Sequence, residues 1–192
     1  PGSTFKILTL AKGLDKGVVH DTDKVNCTGE LAINSAWRIH CDSHHGKRAH
    51  GVVGLVDAIA RSCNVSAATW ALKVGYKDMV AYMEKLGLLE KTNLGLPLER
   101  AGMFNRNDYA KKLQIANVGF GQAVTATPIA LASAFGMLAN DGIRMEPSLI
   151  QSVGTAEKAP REAGKIVKAE VAHKVMKLME SVIQSDEGTG KS

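Results

Sequence analysis

Apolar residues recur at helical spacing along most of this chain, and glycine or proline punctuates the runs. Residues 3–13 place Phe5, Ile7, Leu8, Leu10 and Ala11 on a helical pattern, with Pro1 ahead and Gly13 at the expected end. Residues 52–62 and 64–74 predict two consecutive helices, broken near Cys63-Asn64. In 76–87, Met79, Val80, Tyr82, Met83 and Leu86 make an amphipathic face that stops at Gly87. Residues 127–139 predict an apolar helix with Pro128 in its first turn, followed by a turn at Asn140-Asp141-Gly142; residues 168–184 predict a last amphipathic helix. Strand signals are sparse. Residues 24–41 suggest a hairpin turning near Asn34-Ser35, 148–153 a short strand, and 88–108 a loop-rich stretch. The chain is therefore expected to be mostly helical.

Size and charge narrow the classes further. A length of 192 residues leaves room for one domain or part of one. An apolar content of 45% with 22% charged residues argues for a packed core rather than disorder. No run of 18 apolar residues is present, so no membrane-spanning helix is expected. Arg38, His40, His44, His45, Lys47, Arg48 and His50 form a basic cluster. Aromatics to stack bases are few and no nucleic-acid-binding motif accompanies it, so the cluster is expected to be a hydrated loop. Three cysteines are too few for a disulfide scaffold and lack the spacing of a zinc motif. No His/Cys/Asp ligand set is apparent, and no metal or organic cofactor is expected. Trp37, Trp70, Met176, Met179 and Val182 are expected in the core, and Glu84, Glu90 and Glu99 show no acid–base pairing. Gly190-Lys191-Ser192 is not a phosphate loop, because Ser185 stands where the motif needs glycine.

The sharpest chemical signal is Ser3-x-x-Lys6. A serine hydroxyl is a weak nucleophile without a base in hydrogen-bond reach. Residues three apart on a helix share a face, so Lys6 can reach the Ser3 hydroxyl. A lysine serves as base only when burial or a nearby cation lowers its pKa. At a helix N-terminus, backbone N–H groups also point outward and can stabilise an oxyanion.

Several other stretches share this context. Ser62-Cys63-Asn64 falls where two helices should meet, and Pro1-Gly2-Ser3-Thr4-Phe5-Lys6 opens the chain. Cys27-Thr28-Gly29, Cys41 and His50-Gly51 follow the first helix; Thr92 to Gly102, Gly119-Phe120-Gly121-Gln122 and Ala139 to Gly142 come later. Together they resemble the penicillin-binding proteins, the serine D,D-transpeptidases, of the transpeptidase-only class B kind. Asn93 and Leu98 depart from that pattern, standing where glycines are usual.

The resemblance implies an α+β serine transpeptidase/β-lactamase-like fold, of which this segment supplies mostly the all-helical subdomain and the serine helix. It implies that residues 1–192 are part of one transpeptidase domain cut at both ends, with the third motif, K-[ST]-G, falling beyond Ser192. The implied catalytic set is Ser3 as nucleophile, Lys6 as base, Ser62 as proton relay and Asn64 as a substrate-binding amide that also helps hold Lys6. The implied partners are peptidoglycan stem peptides, β-lactams and other wall-synthesis membrane proteins. The implied place is the outer side of the bacterial membrane, with an anchor outside this chain. A β-lactam sensor of the same fold is the alternative. In such a setting Cys27 and Cys41 are a possible disulfide, if they face each other across the hairpin.

Overall fold

A computed structural model describes residues 1–42, 49–106 and 110–191. The basic-cluster residues His44, His45, Lys47 and Arg48 lie outside these. After a single 3-10 turn at Gly2–Thr4 comes helix α1 (Phe5–Asp15). Four short strands follow: β1 (Val25–Cys27), β2 (Glu30–Ala32), β3 (Arg38–His40) and β4 (Gly51–Val53). Then come α2 (Leu55–Ala60), α3 (Asn64–Val74), α4 (Tyr76–Lys85), α5 (Lys111–Gly119) and α6 (Pro128–Ala139). Strands β5 (Ile143–Met145), β6 (Ser152–Val153), β7 (Ala156–Glu157) and β8 (Glu162–Lys165) precede α7 (Ala169–Met179) and α8 (Ser181–Gln184). No described helix is long and apolar enough to cross a membrane.

Helix α1 sits at the centre. Phe5, Leu8, Leu10 and Ala11 are fully buried, as is Thr9 on the same helix, and Lys6 is buried but for its edge on a cleft. A helix apolar on most sides has to be enclosed, and α3, α5 and α7 enclose it. Small residues decide how closely the second layer packs. Ala67, Ala68 and Ala71 of α3 are buried, and α5 crosses them at Gly119, where an added Cβ would lie 2.5 Å from the Ala67 carbonyl oxygen. The Gly119 carbonyl in turn accepts a 2.9 Å bond from the Thr9 hydroxyl. The serine helix is thus clamped by α5, an element whose sequence pattern does not set it apart from its neighbours.

The strands form four antiparallel two-stranded ribbons among the described residues, β1–β4, β2–β3, β5–β8 and β6–β7. The expected turn at Asn34 is present. Its side-chain oxygen accepts from the N–H groups of Ala36 (2.9 Å) and Trp37 (2.8 Å), an Asx-type turn. The expected single hairpin over 24–41 is not. Only Glu30–Ala32 pairs with Arg38–His40, whereas Val25–Cys27 pairs with β4, opposing Cys27 to Gly51. Residues 51–53 are therefore strand rather than the start of a helix. The predicted last helix is broken at Glu180 into α7 and α8. Trp70 is buried at 2%, but Trp37 is 55% exposed and Met176 40% exposed; both correct the expectation that these residues lie in the core.

Candidate active site

The site is built on two helix ends that meet. Helix α2 closes with the Ser62 N–H donating to Ile59 O (3.0 Å) and the Cys63 N–H to Ala58 O (2.8 Å). This crossed pair is the Schellman ending, which requires a left-handed residue at the first position past the cap. That position is normally glycine. Here it is Ser62, at φ +54°. A side chain in this region costs about 1–2 kcal/mol, and such strain persists where the surroundings hold it. Removing the hydroxyl in two ways isolates the strain. The Ser62→Gly variant is expected to be more stable than Ser62→Ala by about 1 kcal/mol, read from urea midpoints. An alanine variant equal to the glycine one would show the turn is unstrained.

What holds Ser62 there is Lys6. Its Nζ lies 2.6 Å from the Ser62 carbonyl oxygen, 2.7 Å from Ser62 Oγ and 3.1 Å from Ser3 Oγ. Three acceptors match the three donors of an ammonium group. Ser62 Oγ and Ser3 Oγ are 3.1 Å apart, so Ser3, Lys6 and Ser62 close a triangle of hydrogen-bonding groups. The lysine is only 2% exposed. Burial is the main influence on its pKa and lowers it to about 8, against an upward pull from Cys41, Cys63 and Asp42. The amine is thereby brought to where it can give up a proton near neutral pH.

Ser3 itself lies exposed in the 3-10 turn ahead of α1. The turn is fixed from outside by a 3.0 Å bond from the Gly2 N–H to Gly121 O. The two hydroxyls and the amine open onto a cleft of about 380 Å³. Its far wall is apolar: Phe135 of α6, Met179 at the end of α7, and Val182 and Ile183 of α8. Thr189 completes the lining, its N–H bonded to Ala60 O at 3.1 Å. The apolar spacing of Met179 and Val182 signalled a buried face; their place beside the serine was not in the sequence.

Asn64 is the first residue of α3 and is 6% exposed. Its amide donates to the His40 carbonyl at 2.9 Å. The expected bond to Lys6 is not among those of the described residues; Ser62 takes that part with both its carbonyl and its hydroxyl.

The possible Cys27–Cys41 disulfide is not formed in this structure: Cys27, Cys41 and Cys63 are free and buried. Cys27 and Cys41 sulfurs stand 3.6 Å apart, well beyond the ~2.05 Å of a bond. The reason lies in the register, since Cys27 belongs to the β1–β4 ribbon and Cys41 follows β3 of the other.

Helices packed around a Ser-x-x-Lys turn that faces a Ser-x-Asn turn, with small ribbons beside them, define an α+β transpeptidase-type fold. A model of the family described as "Penicillin binding protein transpeptidase domain" matches residues 1–192. The chain belongs to this family, on its class B side. It is similar to the penicillin-binding protein PbpB of Mycolicibacterium smegmatis, at 28% identity over 99% of this chain and 30% of that protein. It is also similar to the peptidoglycan D,D-transpeptidase FtsI of Escherichia coli K12, at 25% identity over 95% of this chain and 29% of the relative. The chain thus spans about a third or less of these relatives. Among solved structures, the penicillin-binding protein 3 of Mycobacterium tuberculosis complexed with aztreonam matches with a TM-score of 0.85 at 25% identity, covering 100% of this chain and 44% of the other.

Proposed function

We propose that this chain carries the acyl-transfer centre of a peptidoglycan D,D-transpeptidase. The observation that carries the reading is the buried Lys6 amine placed between the hydroxyls of Ser3 and Ser62. The hydrogen bond runs from ammonium to Ser3 Oγ in the charged form; in the neutral form the Ser3 hydroxyl donates to the amine. From that second state Ser3 Oγ attacks the carbonyl carbon of the penultimate D-Ala of a stem peptide, and Lys6 takes the proton. The Ser3 N–H, at the start of the helix, is the expected oxyanion donor on this chain. The C–N bond to the terminal D-Ala breaks, and the proton passes through Ser62 to the leaving amine. An amine of a second stem peptide then attacks the Ser3 ester and forms the cross-link. Asn64 is proposed to bind the substrate amide. A β-lactam offers the same carbonyl, and opening its ring leaves the acyl group on Ser3. The same reading places the centre on the outer side of the bacterial membrane, working with other wall-synthesis proteins and held by an anchor in another part of the protein.

A fluorescent penicillin and the full-length protein test this. The expected result is a single adduct whose peptide map locates it on Ser3. A folded protein that takes no label, or takes it elsewhere, overturns the assignment. Turnover of a D-Ala-D-Ala peptide separates the transpeptidase from a sensor, which is acylated and releases nothing. The pH profile follows from the lysine. Lys6 must be neutral to accept the proton, so below about 8 the acylation rate should fall about tenfold per pH unit, and above it level off. A rate independent of pH between 6 and 9 would remove Lys6 as the base.

A further inference from the structure

Beside the Ser62 turn, and outside the proposed catalytic groups, four metal-ligating side chains converge. Cys27 ends β1, Cys41 follows β3, His50 precedes β4 and Cys63 caps α3. Their ligand atoms all lie within 4.8 Å of one another. The Cys27 and Cys41 sulfurs are 3.6 Å apart, those of Cys41 and Cys63 3.7 Å, and the Cys27 sulfur is 3.6 Å from His50 Nδ1. Tetrahedral zinc, with Zn–S near 2.3 Å and Zn–N near 2.0–2.1 Å, sets its ligand atoms about 3.5–3.8 Å apart. The three resolved edges fall in that range, and a shift of about 1 Å closes the widest.

Packing alone does not account for the cluster. Cys41 is equally close to two other sulfurs, so a disulfide to either leaves a third buried thiol and an imidazole without a role. The surroundings also treat two of the sulfurs as acceptors. The Val65 N–H donates to Cys41 Sγ and the Ser66 N–H to Cys63 Sγ, both at 3.4 Å. These N–H groups belong to the first turn of α3, whose positive dipole end favours a thiolate. Backbone donors aimed at ligand sulfurs are the outer-shell pattern of metal–thiolate sites.

We propose that Cys27, Cys41, His50 and Cys63 hold one zinc ion, as a closed structural site that fixes the Ser62–Asn64 turn. Three thiolates and a neutral imidazole leave the centre with a net charge of −1. Four protein ligands leave no open position, so the ion has no part in the acyl chemistry. Its role is mechanical. Cys63 stands between Ser62 and Asn64, and the ion ties it to both ribbons, β1–β4 and β2–β3. The sequence concealed the set because 23 positions separate Cys27 from His50 and 22 separate Cys41 from Cys63, with no paired-cysteine knuckle.

The effect on the turn rests on the proposed function; the metal does not, and the two are read separately. Full-length protein purified without chelator is expected to contain one zinc per chain by mass spectrometry. Replacement by cobalt(II) is expected to give the intense visible bands of a tetrahedral site and a thiolate-to-cobalt charge-transfer band. A mercurial that caps thiols should release the zinc as three thiols react. The His50→Ala variant, which alters the least buried ligand, should bind zinc at least 10-fold more weakly. Stripping the ion should slow penicillin acylation at least 10-fold, and restoring zinc should recover it. Wild-type protein with less than a tenth of a zinc per chain and weak, octahedral cobalt spectra overturns the site. One zinc per chain with acylation unchanged on stripping overturns its hold on the turn. One zinc per chain in a protein that takes no penicillin overturns the proposed function and leaves the site standing.

Discussion

Replacing Lys6 with alanine is expected to lower the rate of acylation by penicillin by a factor on the order of 10³. The amine is the only cation within hydrogen-bond reach of both hydroxyls among the described residues, and its burial brings its pKa to about 8. Its loss removes the base and the three bonds that meet at Nζ. Lys6→Arg separates the two losses. A guanidinium keeps the charge and can restore some of the bonds to Ser62, but it does not deprotonate in proteins. The arginine variant should therefore stay folded and fail to acylate. An arginine variant retaining a tenth or more of the rate would mean that Ser3 is activated without a base at this position.

The second large effect is predicted far from any reacting atom. Gly121 has φ +80°, and a Cβ there would lie 2.0 Å from Gly2 O and 2.6 Å from Gly2 N. Both obstacles are backbone, so no side chain can swing aside. The same Gly2 backbone anchors the serine turn through its bond to Gly121 O. Gly121→Ala should cost about 2 kcal/mol or more and slow acylation with Ser3, Lys6 and Ser62 all intact. Gly17 is the control: its φ is +71° and a Cβ there meets nothing within 4 Å. Gly17→Ala should show the conformational cost alone, about 1 kcal/mol, with normal acylation. Equal melting shifts for the two variants would remove the argument from close approach.

What could be read from the sequence was what local chemistry decides. Periodicity and glycine or proline stops outlined α1, α3, α4 and α6, and Thr127 caps α6 with Pro128 behind it, as that pattern requires. Ser3 and Lys6 were legible because one helical turn brings them together. Ser62 was legible as a motif, but its left-handed backbone was not, because nothing about serine announces φ above zero. Contacts between distant segments stayed hidden. Cys27 was assigned to a hairpin partner because sequence gives the nearest pairing, whereas β1 pairs with β4 across 24 residues or more. Helix α5 mixes lysine, glutamine and asparagine with its apolar residues, and its burial comes from the alanine face of α3 rather than from a strong stripe of its own. Trp37 was expected in the core, yet it sits on the exposed turn that Asn34 organises.

The bonds from Lys6 to Ser62 join residues 56 positions apart. In an unfolded chain the same amine is hydrated, with its ordinary pKa near 10.5, and the serine three residues away is an ordinary alcohol. Under the proposed mechanism, the nucleophile comes into being only when α1 and the turn between α2 and α3 have docked. A penicillin adduct then counts native molecules in a mixed population, as an antibody to a discontinuous epitope would. Nascent or damaged chains remain chemically silent toward the drug.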